Sequence, residues 1–256
     1  MWAPPSDIYI GNIQIHLYSV FFALGLLLGY LLARSFALDR GIKEKDFDGT
    51  FLLVLFFGLI GARLFFVFGN WEIFRGDFGE ILRFWNGGLA FYGGVIGGFV
   101  GISVGYVLYK FRILEMLDSL SIGLPIGQAI GRLGNFFNQE AYGEPTDLPW
   151  AIYIEPERRL PEFQNFNYYH PTFLYESVVL LVIFLILLRV SKHYKIPGVI
   201  FAVYAILSGL ARFFIENVRV DALVLNGLKI SQIAAIVLMS TGIILFIHRR
   251  YERKVS

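Results

Sequence analysis

Seven long apolar runs, separated by short polar segments, dominate this chain of 256 residues. They cover roughly 15–34, 50–69, 88–109, 117–137, 172–190, 197–216 and 230–248. A bilayer's hydrocarbon core takes about 20 apolar residues per helix, so each run predicts a membrane-spanning helix. The expected fold is an all-α polytopic membrane protein of about seven transmembrane helices, organised as one integral-membrane domain over 1–256. The fourth run is rich in glycine and holds Pro125. It admits a broken or re-entrant helix, which a membrane tolerates where protein covers the backbone.

Charge then sets the expected sidedness. Arg34 with loop 35–49, segment 110–116, loop 189–196 and the tail after Phe246 carry thirteen of the 22 basic residues. The opposite loops, although longer, hold six: Arg75, Arg83, Arg158, Arg159, Arg219 and Lys229. Basic loops stay cytoplasmic, which predicts an outer N-terminus and a cytoplasmic C-terminus. The longest loop, about 138–171, then lies outside. Its aromatics, among them Trp150, Tyr153, Phe163, Tyr168 and Tyr169, read as an ordered interfacial cap, most of them as an aromatic belt.

Composition agrees with a membrane protein. The chain is 56% hydrophobic and 16% charged, with mean hydropathy +0.62, whereas soluble domains are about 25% charged. It has no cysteine, which excludes disulfides, thiolate metal sites and a cysteine nucleophile of its own. Four histidines without paired spacing predict no metal site, and a net charge of +2 suggests no nucleic-acid partner. The first fifteen residues lack a basic segment, and no small-residue cleavage site follows the first apolar run. That run therefore reads as a retained anchor.

Gly93, Gly97, Gly101 and Gly105 share one face of the third predicted helix, with Gly94 and Gly98 beside them; Gly123, Gly127 and Gly131 repeat the spacing in the fourth. Small residues every four positions let membrane helices approach closely, so the stripes read as packing surfaces; the alternative is room for a lipid chain. No Lys-Ser pair or strand makes them a phosphate loop.

The chemistry lies in polar residues placed where lipid excludes them. Arg63, Arg132 and Arg212 sit inside apolar runs, and a charge at bilayer depth costs roughly 2.5–3.5 kcal/mol on insertion scales. Arg132 opens the segment GRLGNFFNQEAYG, with Asn135, Asn138, Glu140 and Gly143 following. Glu216 follows Arg212 at a spacing that puts both on one helix face. Buried ion pairing is one reading of these arginines, and the more natural one for Arg63. The other is an anion site, because a guanidinium presents a planar fork that stays charged when dry and grips phosphate at two points. Asn86 and Tyr92 lead into the third helix, His170 into the fifth, and Tyr18 lies at the outer end of the first. The expected topology brings all of them to the outer half of the membrane. An anion transporter or flippase would also bury arginines, but it would need polar groups tracing a path to the opposite face. An assembly scaffold would need no arginine at depth.

GRLGNFFNQEAYG closely resembles the signature of bacterial prolipoprotein diacylglyceryl transferases. IHLYS, GARLFF, WNGGLAFYGG, LDSLSIGLPIG, HPTFLYE, ARFFIE with VRVD, and SQI follow the family's order along nearly the whole chain. The resemblance implies an enzyme of the bacterial inner membrane that moves the diacylglyceryl group of phosphatidylglycerol to the lipobox cysteine of a preprolipoprotein. The products are a thioether and glycerol 1-phosphate, and no cofactor is implied. It assigns phosphatidylglycerol binding to Arg132, Asn135, Glu140, Gly143 and Tyr18, and catalysis to Arg212 and Glu216, with Glu216 and Glu140 orienting the arginines. Arg63, Asn138 and Asn86 are supporting residues. The family commonly has histidine where this chain has Tyr92, and a phenol with an ordinary pKa near 10 is a poor base at neutral pH. Tyr92 then only hydrogen-bonds, or another group takes the thiol proton. His170 is a candidate acceptor, its other reading being a residue that bonds backbone ahead of Pro171.

Overall fold

The computed structural model describes residues 4–220, 224–225 and 228–255. All seven predicted spans are helices. They are α1 (Leu17–Asp39), α2 (Glu44–Gly69), α4 (Phe91–Tyr109), α5 (Ile113–Asn138), α6 (Thr172–His193), α7 (Val199–Ile215) and α8 (Ile230–Val255), with a one-turn helix, α3 (Trp71–Phe74), after α2. Six are long and apolar enough to cross a membrane, and α7 is shorter but apolar. The chain is thus a multi-pass membrane protein. Pro125 does not break the fourth span: α5 runs unbroken through it for 26 residues. Inside a bundle, neighbouring groups take up the backbone bond that proline forgoes.

Among the described residues, three two-stranded antiparallel sheets, absent from the sequence reading, accompany the helices. They pair β1 (Asp7–Ile10) with β2 (Ile13–His16), β3 (Ile152–Tyr153) with β4 (Tyr168–Tyr169), and β5 (Val224–Leu225) with β6 (Leu228–Lys229). The 138–171 loop is ordered around a small core of its own, in which Tyr142, Ile154 and Tyr169 are buried. Its aromatics divide, so the belt reading fits only some of them. Trp150 and Tyr168 are exposed, but the Tyr169 hydroxyl donates to the Phe163 and Phe166 carbonyls and Tyr142 donates to Arg158 O. Burial pushes the Tyr169 hydroxyl above its ordinary pKa.

The residues form two compact units, one of 1–33 with 117–256 and the other of 34–116. In the second unit the Gly93, Gly97, Gly101, Gly105 stripe of α4 lies directly on α2. A Cβ at Gly101 would stand 2.6 Å from Leu53 O, and one at Gly105 2.6 Å from Thr50 Oγ1. The stripe is a packing surface without room for a lipid chain. The same unit explains Arg63, which among the described residues reaches out of α2 to main-chain carbonyls alone. Its Nε donates to Ile81 O, Nη1 to Gly87 O and Gly88 O, and Nη2 to Glu80 O and Arg83 O, while Phe74 lies 5.3 Å from the guanidinium carbon. Asn86 joins this loop by donating to the Glu80 carboxylate.

In the first unit Gly123 and Gly127 of α5 meet Gly29 and Gly25 of α1 backbone to backbone, whereas Gly131 has no neighbour on its Cβ side. The α7–α8 contact also rests on small residues, with Gly209 against Ala235 and Met239 and Gly242 against Ala202 and Ala205. One buried carboxylate organises the far end of the bundle. Helix α7 starts after Gly198, which has no side chain to cap it. Asp118 of α5, fully buried, accepts from Gly198 N and Phe201 N at 2.8 Å each. It supplies the missing cap and sets a negative charge against the helix's positive end. Asp118→Ala leaves two buried N–H groups without that acceptor and is expected to cost about 1–3 kcal/mol, read as a lowered thermal midpoint of the purified protein in detergent.

Candidate active site

The first unit gathers its charged residues where α5, α6 and α7 meet. Glu176, in the second turn of α6, is the hub. Its Oε2 lies 2.5 Å from Arg132 Nε on α5, and its Oε1 lies 2.8 Å from Arg212 Nη1 on α7 and 3.1 Å from Arg219 Nη1. Arg212 Nη2 also stands 2.9 Å from Glu216 Oε2. Among the described residues, three guanidiniums therefore converge on Glu176, and one of them also reaches Glu216. The carboxylates form the inner layer, since the Glu176 and Glu216 side chains are 8% and 1% exposed against 30% and 31% for Arg132 and Arg212. Arg132 and Arg212 lie nearer solvent, while Arg219 is as buried as Glu176. Arg132 is anchored through Nε, and its Nη edge makes no hydrogen bond among the described residues. That edge is the fork with which guanidinium grips phosphate.

The turn after α5 is shaped by strained backbone. Gln139 and Ala141 have φ of +52° and +56°, a region ordinary residues seldom occupy. The strain is held by bonds on both sides: Gln139 Oε1 accepts from Glu155 N, and Ala141 O accepts from the Thr172 hydroxyl. The turn brings Glu140 back over the helix end, where Oε1 accepts from Asn135 Nδ2 at 2.8 Å and Asn138 Nδ2 at 3.2 Å. Glu140 thus orients two amides and is not an ion-pair partner of Arg132, because the residues between them turn its carboxylate toward the asparagines. Glu176 fills the place expected of Glu140. Tyr18 packs on Gly134 and lies within electrostatic range of both Glu140 and Arg132.

Gly143 contributes its backbone. It pairs with Arg219 in an isolated antiparallel bridge, and its N–H donates to His170 O at 2.8 Å. A Cβ there would come within 2.7 Å of Thr172 Cγ2 and Val218 O. This close approach locks the outer loop to the chain that carries Arg219. His170 bonds through its own backbone to Glu144 O, and its Nδ1 lies 3.2 Å from the Tyr175 hydroxyl, which also accepts from Trp150 Nε1.

The structure brings Arg132, Arg212, Glu216, Asn135, Asn138, Glu140, Gly143, Tyr18 and His170 into one unit. Tyr92, Asn86 and Arg63 belong to the other; Tyr92 sits in the first turn of α4 with its ring against Phe91. Glu176, which closes the HPTFLYE block, and Arg219 were given no site role by the sequence reading. A carboxylate inside an apolar run marked Glu176 as clearly as position marks the arginines. Arg219 was counted as a loop cation, although its side chain is 9% exposed. Asp221, which ends the VRVD block, lies outside the described residues.

The sequence profile of one family, prolipoprotein diacylglyceryl transferase, matches residues 5–248. A phosphatidylglycerol–prolipoprotein diacylglyceryl transferase of Fervidobacterium nodosum is 41% identical over 236 residues, covering 91% of this chain and 80% of the relative. Relatives of the same name from Finegoldia magna and Thermosynechococcus vestitus are 39% and 36% identical, covering 96% and 94% of this chain and 95% and 90% of their own.

Removing Glu176 takes away the carboxylate that three guanidiniums share. Breaking a buried pair costs about 3–5 kcal/mol, so Glu176→Ala is expected to lower the thermal midpoint far more than Arg219→Ala does. The double variant should recover part of the loss.

Proposed function

The chain belongs to the prolipoprotein diacylglyceryl transferase family, and on that premise we propose that it transfers the diacylglyceryl group of phosphatidylglycerol to the lipobox cysteine thiol of preprolipoproteins. This is an early step of bacterial lipoprotein maturation. The observation that carries the reading is the cluster of arginines on Glu176, in which Arg132 is held through Nε and its Nη edge makes no hydrogen bond among the described residues. A phosphodiester head group is the kind of anion such a fork grips at two points.

The thiol sulfur attacks the glycerol carbon that bears the phosphate ester. A carbon–sulfur bond forms, the carbon–oxygen bond breaks, and glycerol 1-phosphate departs with the bonding pair. The leaving phosphate gains negative charge as that bond breaks, so fixed cations stabilise the transition state more than the bound lipid. Arg132 holds the phosphate. Arg212, braced by Glu176 and Glu216, faces the developing charge and favours the thiolate. Asn135, Glu140 and Tyr18 line the head-group side, with Gly143 and Asn138 shaping the turn. His170 is our choice of acceptor for the thiol proton. The protein acts as one transferase domain over 1–256, which the family match across both compact units supports.

The basic loops orient the enzyme in the bacterial cytoplasmic membrane with its N-terminus outside and the active site in the outer half. The cysteine-free chain makes this easy to check. Asp147→Cys should react with a membrane-impermeant maleimide on intact cells, and Lys45→Cys only after permeabilisation.

The chemistry is tested by mixing purified protein with phosphatidylglycerol and a lipobox peptide. A diacylglyceryl mass increase on the peptide cysteine is expected by mass spectrometry. Arg132→Ala should reduce the rate by about 10²-fold or more, the scale on which losing a group that binds transition-state charge is felt, while the variant stays folded. Near-normal transfer by that variant would remove Arg132 from the role of phosphate clamp. Anion flux without a covalent product would point to a transporter.

A further inference from the structure

Below the arginines the polar surface continues. Gln128 lies one helical turn before Arg132 on α5, while Ser208 and Tyr204 lie one and two turns before Arg212 on α7. At 1.5 Å per residue, Gln128 and Ser208 sit about 6 Å deeper than the guanidinium-bearing positions. These side chains stand in otherwise apolar helices, where an unsatisfied polar group is costly. The Tyr204 hydroxyl donates to Gln128 Oε1 at 3.3 Å, linking α5 to α7 at this depth. With Oε1 so engaged, the Gln128 amide keeps its N–H groups for another acceptor, and Nε2 has no hydrogen-bond partner among the described residues. Ser208 Oγ is near Tyr204, yet it is buried without a partner by hydrogen-bond geometry.

Two donors without acceptors therefore lie one turn below two arginines, on facing helices. In a diacylglycerophospholipid, two ester carbonyls hang a few bonds below the phosphate, each an acceptor already removed from water. We infer that Gln128 and Ser208 form an ester-carbonyl subsite, in which they donate to the two acyl esters of the lipid whose phosphate the arginines hold. Tyr204 is a positioning residue that turns the Gln128 amide nitrogen toward the lipid. The subsite makes the enzyme selective for diacyl over dialkyl glycerophospholipids, because an ether lipid has no carbonyl to offer. The inference rests on the diacylglyceryl-transfer reading and extends it to the lipid's glycerol backbone.

The test compares phosphatidylglycerol with its 1,2-di-O-alkyl analogue of equal chain length, each in mixed micelles with a lipobox peptide. The readout is the ratio of transfer rates from the two lipids on one preparation, which does not depend on the folded fraction. The unaltered protein should favour the diester by about tenfold, the scale of one or two buried hydrogen bonds. Gln128→Leu and Ser208→Ala should each shrink that ratio, and the double variant should bring it to within about twofold of unity. Tyr204→Phe should shrink it partway. A ratio near one for the unaltered protein overturns the subsite. So do variants that lose rate equally on both lipids, the outcome if these side chains only pack helices or bind the peptide. If the unaltered protein transfers from neither lipid while a known transferase does, the transfer reading itself fails and takes the subsite with it.

Discussion

A guanidinium can stay charged inside a bundle only if something nearby carries the opposite sign, and Glu176 does this for three at once. In a medium of low dielectric one carboxylate between several cations is held far more firmly than any of those pairs would be in water. Desolvating so many charges is expensive, and a well-packed apolar substitute is often as stable. Stability alone therefore does not account for the cluster. What an apolar core could not supply is guanidinium held in a fixed place, with Arg132 and Arg212 the more exposed members.

The helices on either side are tied together at more than one depth. Helices α5 and α7 are linked by Asp118 at the α7 start, by the Gln128–Tyr204 bond farther along, and by Arg132, Glu176 and Arg212 at the other end. Lipid tails give no hydrophobic force to drive helices together, so polar links and small-residue contacts take that role. Gly25 and Gly29 against Gly127 and Gly123, and Gly209 and Gly242 between α7 and α8, are the contacts of the second kind. Each polar link fixes the rotation of a helix as well as its position. That is how side chains far apart in sequence converge on one carboxylate.

The helices were legible because apolar length is a local property, and so were Arg132 and Arg212, since a charge in an apolar run is anomalous wherever it occurs. The pairing was not. Arg212 and Arg219 find Glu176 across 36 and 43 residues, and no periodicity connects helices that meet only in three dimensions. Spacing of four did reveal Arg212 with Glu216, because a single helix turn decides it. It also suggested a third packing glycine at Gly131, whose backbone N still approaches Gly25 but whose own Cβ side is open, so the packing there does not demand glycine. Loop aromatics misled for a related reason. Tyr169 and Trp150 look alike in sequence, and only the fold of the 138–171 segment decides that one is core and the other surface.

Arg63 has a consequence of a different kind. Every oxygen it grips belongs to the main chain, from Glu80 O to Gly88 O, and those carbonyls are the same whatever side chains the residues carry. Outside Glu80, Arg83 and Asn86, whose side chains bond one another, the loop from Phe78 to Gly88 can therefore diverge in composition while keeping its course, provided Gly87 and Gly88, with φ of +88° and +71°, stay glycine. Natural variation should accumulate on this loop's surface and spare the one arginine beneath it.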